Sequence, residues 1–386
     1  MALKKNIWLL CAIAFLQGMV FYGPIATLYR EAAGVTVLQI TIIEGISLAL
    51  CIVLELPWGI LADRIGYKKT LVVCWLLYFL SKIIFWQASS FSGFLTERII
   101  LSVVISGMSG CDVSMLFLSC KEGESHKVFG IYNNLSTLGL VIAAFIYSSV
   151  VKENYRLAGL LTVFSYAGAA LLVFFLKEVR TPERCITNSF EIKDAFAQFR
   201  KNKSHLLFLL GIAFFEQSHQ IITVFLSQLQ YIKSGISPVN IGYIYIVITM
   251  VGFGGIGSAQ LTEKLGVKRA VFLLDGAAFV ACLIMALTCN AILSVLGIAV
   301  LRLAYNLFQP LQTELQNRQV VSKNRTTALS VNAVILNGVG IVANIVFGRV
   351  AEKSLSGAML FGALLCTAGC IFFLIWRRSE EKYTGR

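Results

Sequence analysis

The sequence predicts an all-α polytopic membrane protein: twelve transmembrane helices in two pseudo-symmetric six-helix bundles. Three observations carry that prediction. First, 57% of the 386 residues are hydrophobic and only 14% are charged, whereas a soluble domain has about a quarter of its residues charged. The apolar residues gather into runs of about 20, the length that crosses a bilayer as a helix and too long for barrel strands. Second, the cations are distributed asymmetrically. With the N-terminus inside, inward-facing segments hold 24 Lys and Arg and outward-facing ones hold six, Arg30, Lys152, Arg156, Lys233, Arg349 and Lys353. That bias places both termini in the cytoplasm and assigns the net charge of +13 to lipid headgroups rather than to nucleic acid. Third, a shift of 200 residues lays Leu261-Thr-Glu263-Lys264-Leu-Gly266-Val-Lys268-Arg269 over Leu61-Ala-Asp63-Arg64-Ile-Gly66-Tyr-Lys68-Lys69. Acid, base, glycine and paired bases recur in register, as in a duplicated bundle.

Taken in order, the spans are expected near 6–29, 37–61, 70–88, 94–118, 128–150, 156–176, 204–231, 240–261, 269–289, 291–314, 327–349 and 355–376. The first follows Lys4-Lys5 and resembles a signal peptide, but it is long, shows no clear cleavage site and leads into eleven more, so it reads as an uncleaved span. Gly23-Pro24 predicts a bend in it. All connections are short except 177–203, which divides the chain into an N-terminal bundle (1–176), a cytoplasmic central loop (177–203), a C-terminal bundle (204–378) and a cytoplasmic tail (379–386). The segment Glu191 to Arg200 is amphipathic and suits a surface helix. The ten cysteines fall mostly within apolar runs and form no C-x-x-C. Neither disulfides nor zinc are implied, and no metal or cofactor is expected. Gly252-Phe-Gly254-Gly255-Ile-Gly257 fits G-x-G-x-x-G, but it lies inside span 8 with no strand before it, so helix packing explains it better than a dinucleotide. No nucleophile elbow or Walker loop occurs, and an enzyme is not expected.

The stretch between spans 2 and 3 is the most specific. Gly59, Asp63, Arg64, Gly66 and Lys68 stand at the spacing G-x-x-x-D-R-x-G-x-K. Gly66 suits a sharp turn, and Asp63 is placed to cap or complement a helix start. The stretch resembles the loop 2–3 signature of the major facilitator superfamily, with Tyr67 where the family usually has its first Arg. The resemblance implies that spans 1, 4, 7 and 10 line a central cavity and that the two bundles rock about it. It also implies a monomer with protons and a small-molecule substrate as partners, in the plasma membrane.

Ionisable groups within a membrane cost about 2.5–3.5 kcal/mol or more, so each needs a reason to be there. Span 4 carries Arg98, Ser102, Ser106, Ser109 and Asp112, one face of a continuous helix. The family places an Arg linked to proton coupling where Arg98 stands, although Ser102 replaces the usual Gly. Asp112 is expected to pair with Arg64 or Lys68 and latch an inner gate, in preference to binding substrate. Span 7 carries Glu216, His219, Gln220, Thr223 and Ser227. Glu216 and His219 are spaced to share a proton or a cation, or simply to bond two helices together. Span 10 carries Arg302, Asn306, Gln309, Thr313 and Gln316, with Pro310 permitting a kink. Arg302 either pairs with Glu216 or Asp275 or meets substrate. Span 1 offers Gln17. Span 2 holds Glu44 and Glu55, and Glu55-Leu-Pro57-Trp-Gly59 resembles an E-x-P-x-G start found in many bacterial efflux facilitators. Both carboxylates are candidate proton carriers, and Lys82 of span 3 is the cation expected to neutralise them. The proton-coupling candidates are therefore Glu44, Glu55, Arg98, Glu216 and His219. The cavity candidates are Gln17, Ser102, Ser106, Gln220, Thr223, Arg302, Asn306 and Gln309.

Antiporters of the family carry G-P-x-x-G-G late in span 5. Here Gly139 remains, followed by Leu140, Ala143 and Ala144. The missing proline weakens an export assignment, while the Glu55 motif favours one. The leading expectation is proton-coupled efflux of a small amphiphilic compound. The alternatives are proton-coupled uptake of a small polar or anionic solute and, more remotely, a membrane sensor that does not transport.

Overall fold

The computed structural model describes residues 2–121, 124–179, 203–319 and 325–384. Among them there is no strand, and twelve helical segments are long and apolar enough to cross a membrane. Spans 1 to 6 are Lys4–Ala32, Val37–Glu55, Tyr67–Gln87, Phe91–Ser119, Ser125–Val151 and Tyr155–Val173. Spans 7 to 12 are Ser204–Lys233, Pro238–Gly255, Ser258–Leu287, Ala291–Asn317, Val331–Lys353 and Leu355–Arg378. The amphipathic stretch of the central connection lies outside the described residues.

Several spans are not single helices, and the breaks have local causes. Span 1 leaves the α-helix after Gly18 and resumes at Ala26, with a 3₁₀ turn over Gly23–Ile25 where the proline predicts the bend. Span 4 stops at Met108 and restarts at Cys111, because Gly110 turns left-handed at φ 80°. Span 7 carries a π-bulge at Ile222–Leu226. Span 8 tightens to 3₁₀ over Gly252–Gly257, and a Cβ on Gly255 would stand 2.8 Å from the Asn306 carbonyl oxygen of span 10. That glycine-rich run is thus a close-packing device.

The loop 2–3 signature is hardly a loop. The helix of span 2 runs from Val37 to Ile65, one glycine follows, and span 3 begins at Tyr67. Gly59, Asp63 and Arg64 therefore belong to the end of a helix, and whether the Asp63 carboxylate complements the start of span 3 lies outside the described side chains. Gly66 takes φ 94°, ψ 155°, and Gly266 takes φ 75°, ψ 154°. Both lie in a region essentially closed to residues with a Cβ. The repeat extends further. Gly34 and Gly235 turn left-handed after spans 1 and 7, at φ 82° and 79°. Ser90 and Asn290 receive backbone N–H groups at the starts of spans 4 and 10.

The chain forms two compact units. The first holds spans 1 to 6 without Ile40–Gly45, together with Pro238–Ile246 of span 8; the second holds Ile40–Gly45 and the remainder of spans 7 to 12. In the first, Trp75, Tyr166, Leu71, Met115 and Val173 are sealed in a common core. Spans 1 and 5 cross with almost no side chain between them: a Cβ on Gly139 would collide with the Phe15 carbonyl, and one on Gly18 with the Ser136 carbonyl. In the second unit Gly211 and Gly369 allow a similar approach of spans 7 and 12.

Candidate functional site

In the first unit the polar stripe of span 4 is built around Arg98. Its Nε donates to Ser47 Oγ of span 2 at 3.1 Å. Ser47 Oγ lies 2.8 Å from Ser102 Oγ, which also donates to the Arg98 carbonyl at 2.8 Å. Ser106 is buried on the same helix and its hydroxyl finds no partner. Gln17 of span 1 is half-buried, and its backbone carbonyl accepts from the Tyr166 hydroxyl at 2.9 Å.

Asp112 does not continue this stripe. The break at Gly110 changes the helical phase, so the single face expected from Arg98 to Asp112 ends at Met108. Asp112 Oδ2 instead accepts from the Tyr132 hydroxyl of span 5 at 3.2 Å. Among the described residues no ion pair joins it to Arg64 or Lys68. The signature is held differently. The Lys68 backbone N–H donates to both oxygens of Glu178, at 3.3 and 3.2 Å, and the same carboxylate fills the space beside Gly66. Glu178 follows span 6 and caps the exposed amide end of span 3. Asn6 fixes the preceding residue, bonding Lys177 through both its N–H and its carbonyl.

Lys82 also departs from expectation. It pairs with neither Glu44 nor Glu55 but with Glu97 of span 4, Nζ to Oε1 at 3.5 Å. Its ammonium also donates to Tyr22 Oη at 3.0 Å. Glu44 is buried, whereas Glu55 is exposed. Glu97 escaped sequence reasoning because it falls outside the serine stripe. The signal for it was a second charge adjacent to Arg98 in an apolar run.

In the second unit spans 7 and 10 bring together Glu216, His219, Arg302, Tyr305 and Gln312. The His219 ring stacks on Tyr305, centroids 4.0 Å apart and planes 9° from parallel. Its Nε2 lies 3.4 Å from Thr223 Oγ1, and its Nδ1 has no hydrogen-bond partner. The side chains of Tyr305 and Gln312 lie beside the Glu216 carboxylate, whose Oε2 has no hydrogen-bond partner. Arg302 lies close enough to act electrostatically on His219 and Tyr305, yet its Nε makes no hydrogen bond. Among the described residues Arg302 therefore pairs with neither Glu216 nor Asp275; Asp275 lies beside Cys370, with its Oδ1 unpartnered. Glu216 and His219 meet through Tyr305. Asn306 is half-buried, and Gln220 and Gln309 are exposed. Tyr305 and Gln312 were missed because they occupy the buried face of span 10. Their spacing, i and i+7, was the available signal.

Twelve membrane-length helices among the described residues, a duplicated bundle architecture and buried polar clusters within the spans mark a polytopic helical membrane protein. The chain belongs to the Major Facilitator Superfamily, whose model matches residues 7–343. It is 30% identical over 159 residues to an uncharacterized MFS-type transporter of Methanocaldococcus jannaschii, a match covering 40% of each chain. A Buchnera aphidicola protein described as an uncharacterized transporter is 28% identical over 175 residues, 44% of this chain and 43% of that one. The chain thus spans less than half the length of these curated relatives. Among solved structures, the nucleoside transporter NupG superposes with a TM-score of 0.78 at 18% identity, covering 97% of this chain and 99% of that one. A D-xylose-proton symporter does so with a TM-score of 0.70 at 11% identity, covering 95% and 97%. At such identities the likeness is one of fold. The relatives it resembles are described as membrane transporters.

Proposed function

We propose that the protein is a proton-coupled exporter of a small amphiphilic compound. It works by alternating access as a monomer in the cell membrane, with both termini cytoplasmic. The observation that carries the reading is Glu216: a carboxyl inside an apolar span, with no cation within ion-pair distance among the described residues and one oxygen unpartnered. Such a group must be neutralised by a proton or by cargo. If the two compete for it, one crosses as the other returns, and an inward proton gradient drives the cargo out. Tyr305 and Gln312 lie beside the carboxyl, and the flat His219–Tyr305 stack offers an aromatic surface to an amphiphile. Arg98, hydrogen-bonded to the Ser47–Ser102 pair, is the cation we assign to coupling in the first unit. Glu44 and the exposed Glu55 remain lesser candidates for the proton route. Gln17, Ser102, Ser106, Gln220, Thr223, Arg302, Asn306 and Gln309 are assigned to substrate contact, and Gly59, Asp63, Arg64, Gly66, Lys68 and Asp112 to the inner gate.

A second reading, uptake of a small polar or anionic solute, is favoured by Arg302, whose Nε is unpartnered and which stands beside Asn306. Everted vesicles separate the two, with ethidium as the amphiphilic probe and uridine as the polar one. Acidification of the lumen is expected to drive ethidium accumulation, and ethidium addition to release lumenal protons. Glu216→Gln is expected to abolish both. Unchanged exchange in Glu216→Gln removes that residue from the mechanism. Uridine uptake by intact cells without ethidium export would replace the leading reading with the second, and no flux of either kind would point to a sensor.

A further inference from the structure

The apolar contacts of span 4 leave its rotation poorly specified. One of its faces buries Phe94, Glu97, Leu101, Val104 and Met108, each 8% exposed or less, and Ser102 and Ser106 are buried on the adjacent one. Four of the first five are apolar, and dispersion contacts are not directional. On that face Glu97 makes the directional bond; on the adjacent face Arg98 and Ser102 meet Ser47 of span 2. Lys82, the partner of Glu97, is anchored from spans 1 and 6 and from its own span 3: Nζ donates to Tyr22 Oη of span 1 at 3.0 Å, and it lies 5.8, 5.1 and 5.4 Å from the ring centroids of Tyr22, Tyr78 of span 3 and Tyr166 of span 6. The other cation nearby, Arg30, is packed against the rings of Phe85 and Phe94. Successive residues on a helix point about 100° apart. Fixing Glu97 toward Lys82 therefore turns Arg98 toward Ser47.

We propose that Lys82 and Glu97 are positioning residues that set the rotation of span 4 and so aim Arg98 and Ser102 at span 2. A buried ion pair is a poor source of net stability, because desolvation offsets the attraction. Specifying one rotation among several apolar alternatives is a role such a pair can fill, as polar residues do in coiled-coil registers. The second unit has no counterpart. The residues 200 positions on are Cys282 and Gly297, and the charge of span 10 sits at Arg302, over Ser102. The assignment of rotation is independent of the transport cycle; its consequence for export rests on the role proposed above for Arg98.

The test is a disulfide between Ser47→Cys and Ser102→Cys, whose parent hydroxyl oxygens are 2.8 Å apart. The full-length protein in membranes is treated with copper phenanthroline, and the specific linked peptide is quantified by mass spectrometry. This readout does not depend on transport. Lys82→Met and Glu97→Gln, each alone, are expected to lower the linked yield several-fold. The exchange of Lys82→Glu with Glu97→Lys is expected to restore it. Single variants that link as fully as the parent would overturn the proposal. If the single variants do not give monodisperse protein, the exchanged pair decides: linking at the parent level supports the proposal and loss of linking overturns it. Ethidium export is measured on the same samples. Altered linking with unaltered export would leave the positioning role standing and remove Arg98 from the transport reading.

Discussion

Glu97 and Glu216 are both carboxylates inside apolar spans, and their neighbours give them opposite characters. Glu97 has a cation at 3.5 Å and is 1% exposed. Removing one member of such a pair strands the other charge, at a cost of about 3–5 kcal/mol, whereas replacing both with apolar residues is often neutral. Lys82→Met should therefore lower the thermal transition of the detergent-solubilised protein markedly, and Lys82→Met with Glu97→Leu should recover most of the loss. A single variant as stable as the parent would mean the pair is not buried in the way described. Glu216 has the polar side chains of Tyr305 and Gln312 beside it instead of a cation. Tyr305→Phe removes one hydroxyl within reach of the carboxyl while keeping the ring under His219. It should leave the protein folded but slow proton-driven exchange about tenfold, the equivalent of about 1.4 kcal/mol for a buried bond. The sequence singles out Lys82 and Glu216 and leaves their partners undecided. Lys82 lies on span 3 among several acids in neighbouring spans, and only the packed structure shows that it meets Glu97.

At the scale of the helix, glycines decide where a span may turn and where it may touch another. Gly66 and Gly266 adopt the same backbone conformation at equivalent points of the two units. An alanine there should cost about 1–3 kcal/mol. Gly66→Ala should cost more than Gly266→Ala, because the Glu178 carboxylate already stands within 3.2 Å of where the first Cβ would go, while nothing lies within 4 Å at Gly266. Thermal unfolding of the two variants side by side checks the order. Gly139→Leu should force spans 1 and 5 apart and appear as aggregated protein in size-exclusion profiles, since the collision is with backbone and cannot be relieved by a rotamer change. Gly139 was visible in the sequence as a remnant of a family motif. Gly110 was not singled out, and its left-handed turn is what takes Asp112 off the face of Arg98 and gives it to Tyr132.

For the whole molecule, the cation asymmetry makes a topological prediction that native residues can test. Cys289 is exposed in the short turn between spans 9 and 10, which the charge pattern places outside. A membrane-impermeant maleimide should label intact cells at Cys289, and Cys289→Ser should remove that labelling. Labelling of Cys289 only in everted vesicles would invert the orientation. It would also reverse the sense in which Glu216 would couple cargo to protons.

Span number, approximate span ends, the duplication and family membership were all written into the sequence. Each depends on local or cumulative properties: about 20 apolar residues in a row, the side of the membrane on which cations collect, and a glycine spaced between an acid and two bases. The rotation of each span about its own axis is different in kind, because it is settled by which neighbouring side chains it meets. That is why the structure pairs Lys82 with Glu97, sets Tyr305 between Glu216 and His219, and separates Asp112 from Arg64. A bilayer dictates that a helix must form and how long it must be. Only packing against other helices dictates which of its faces looks inward.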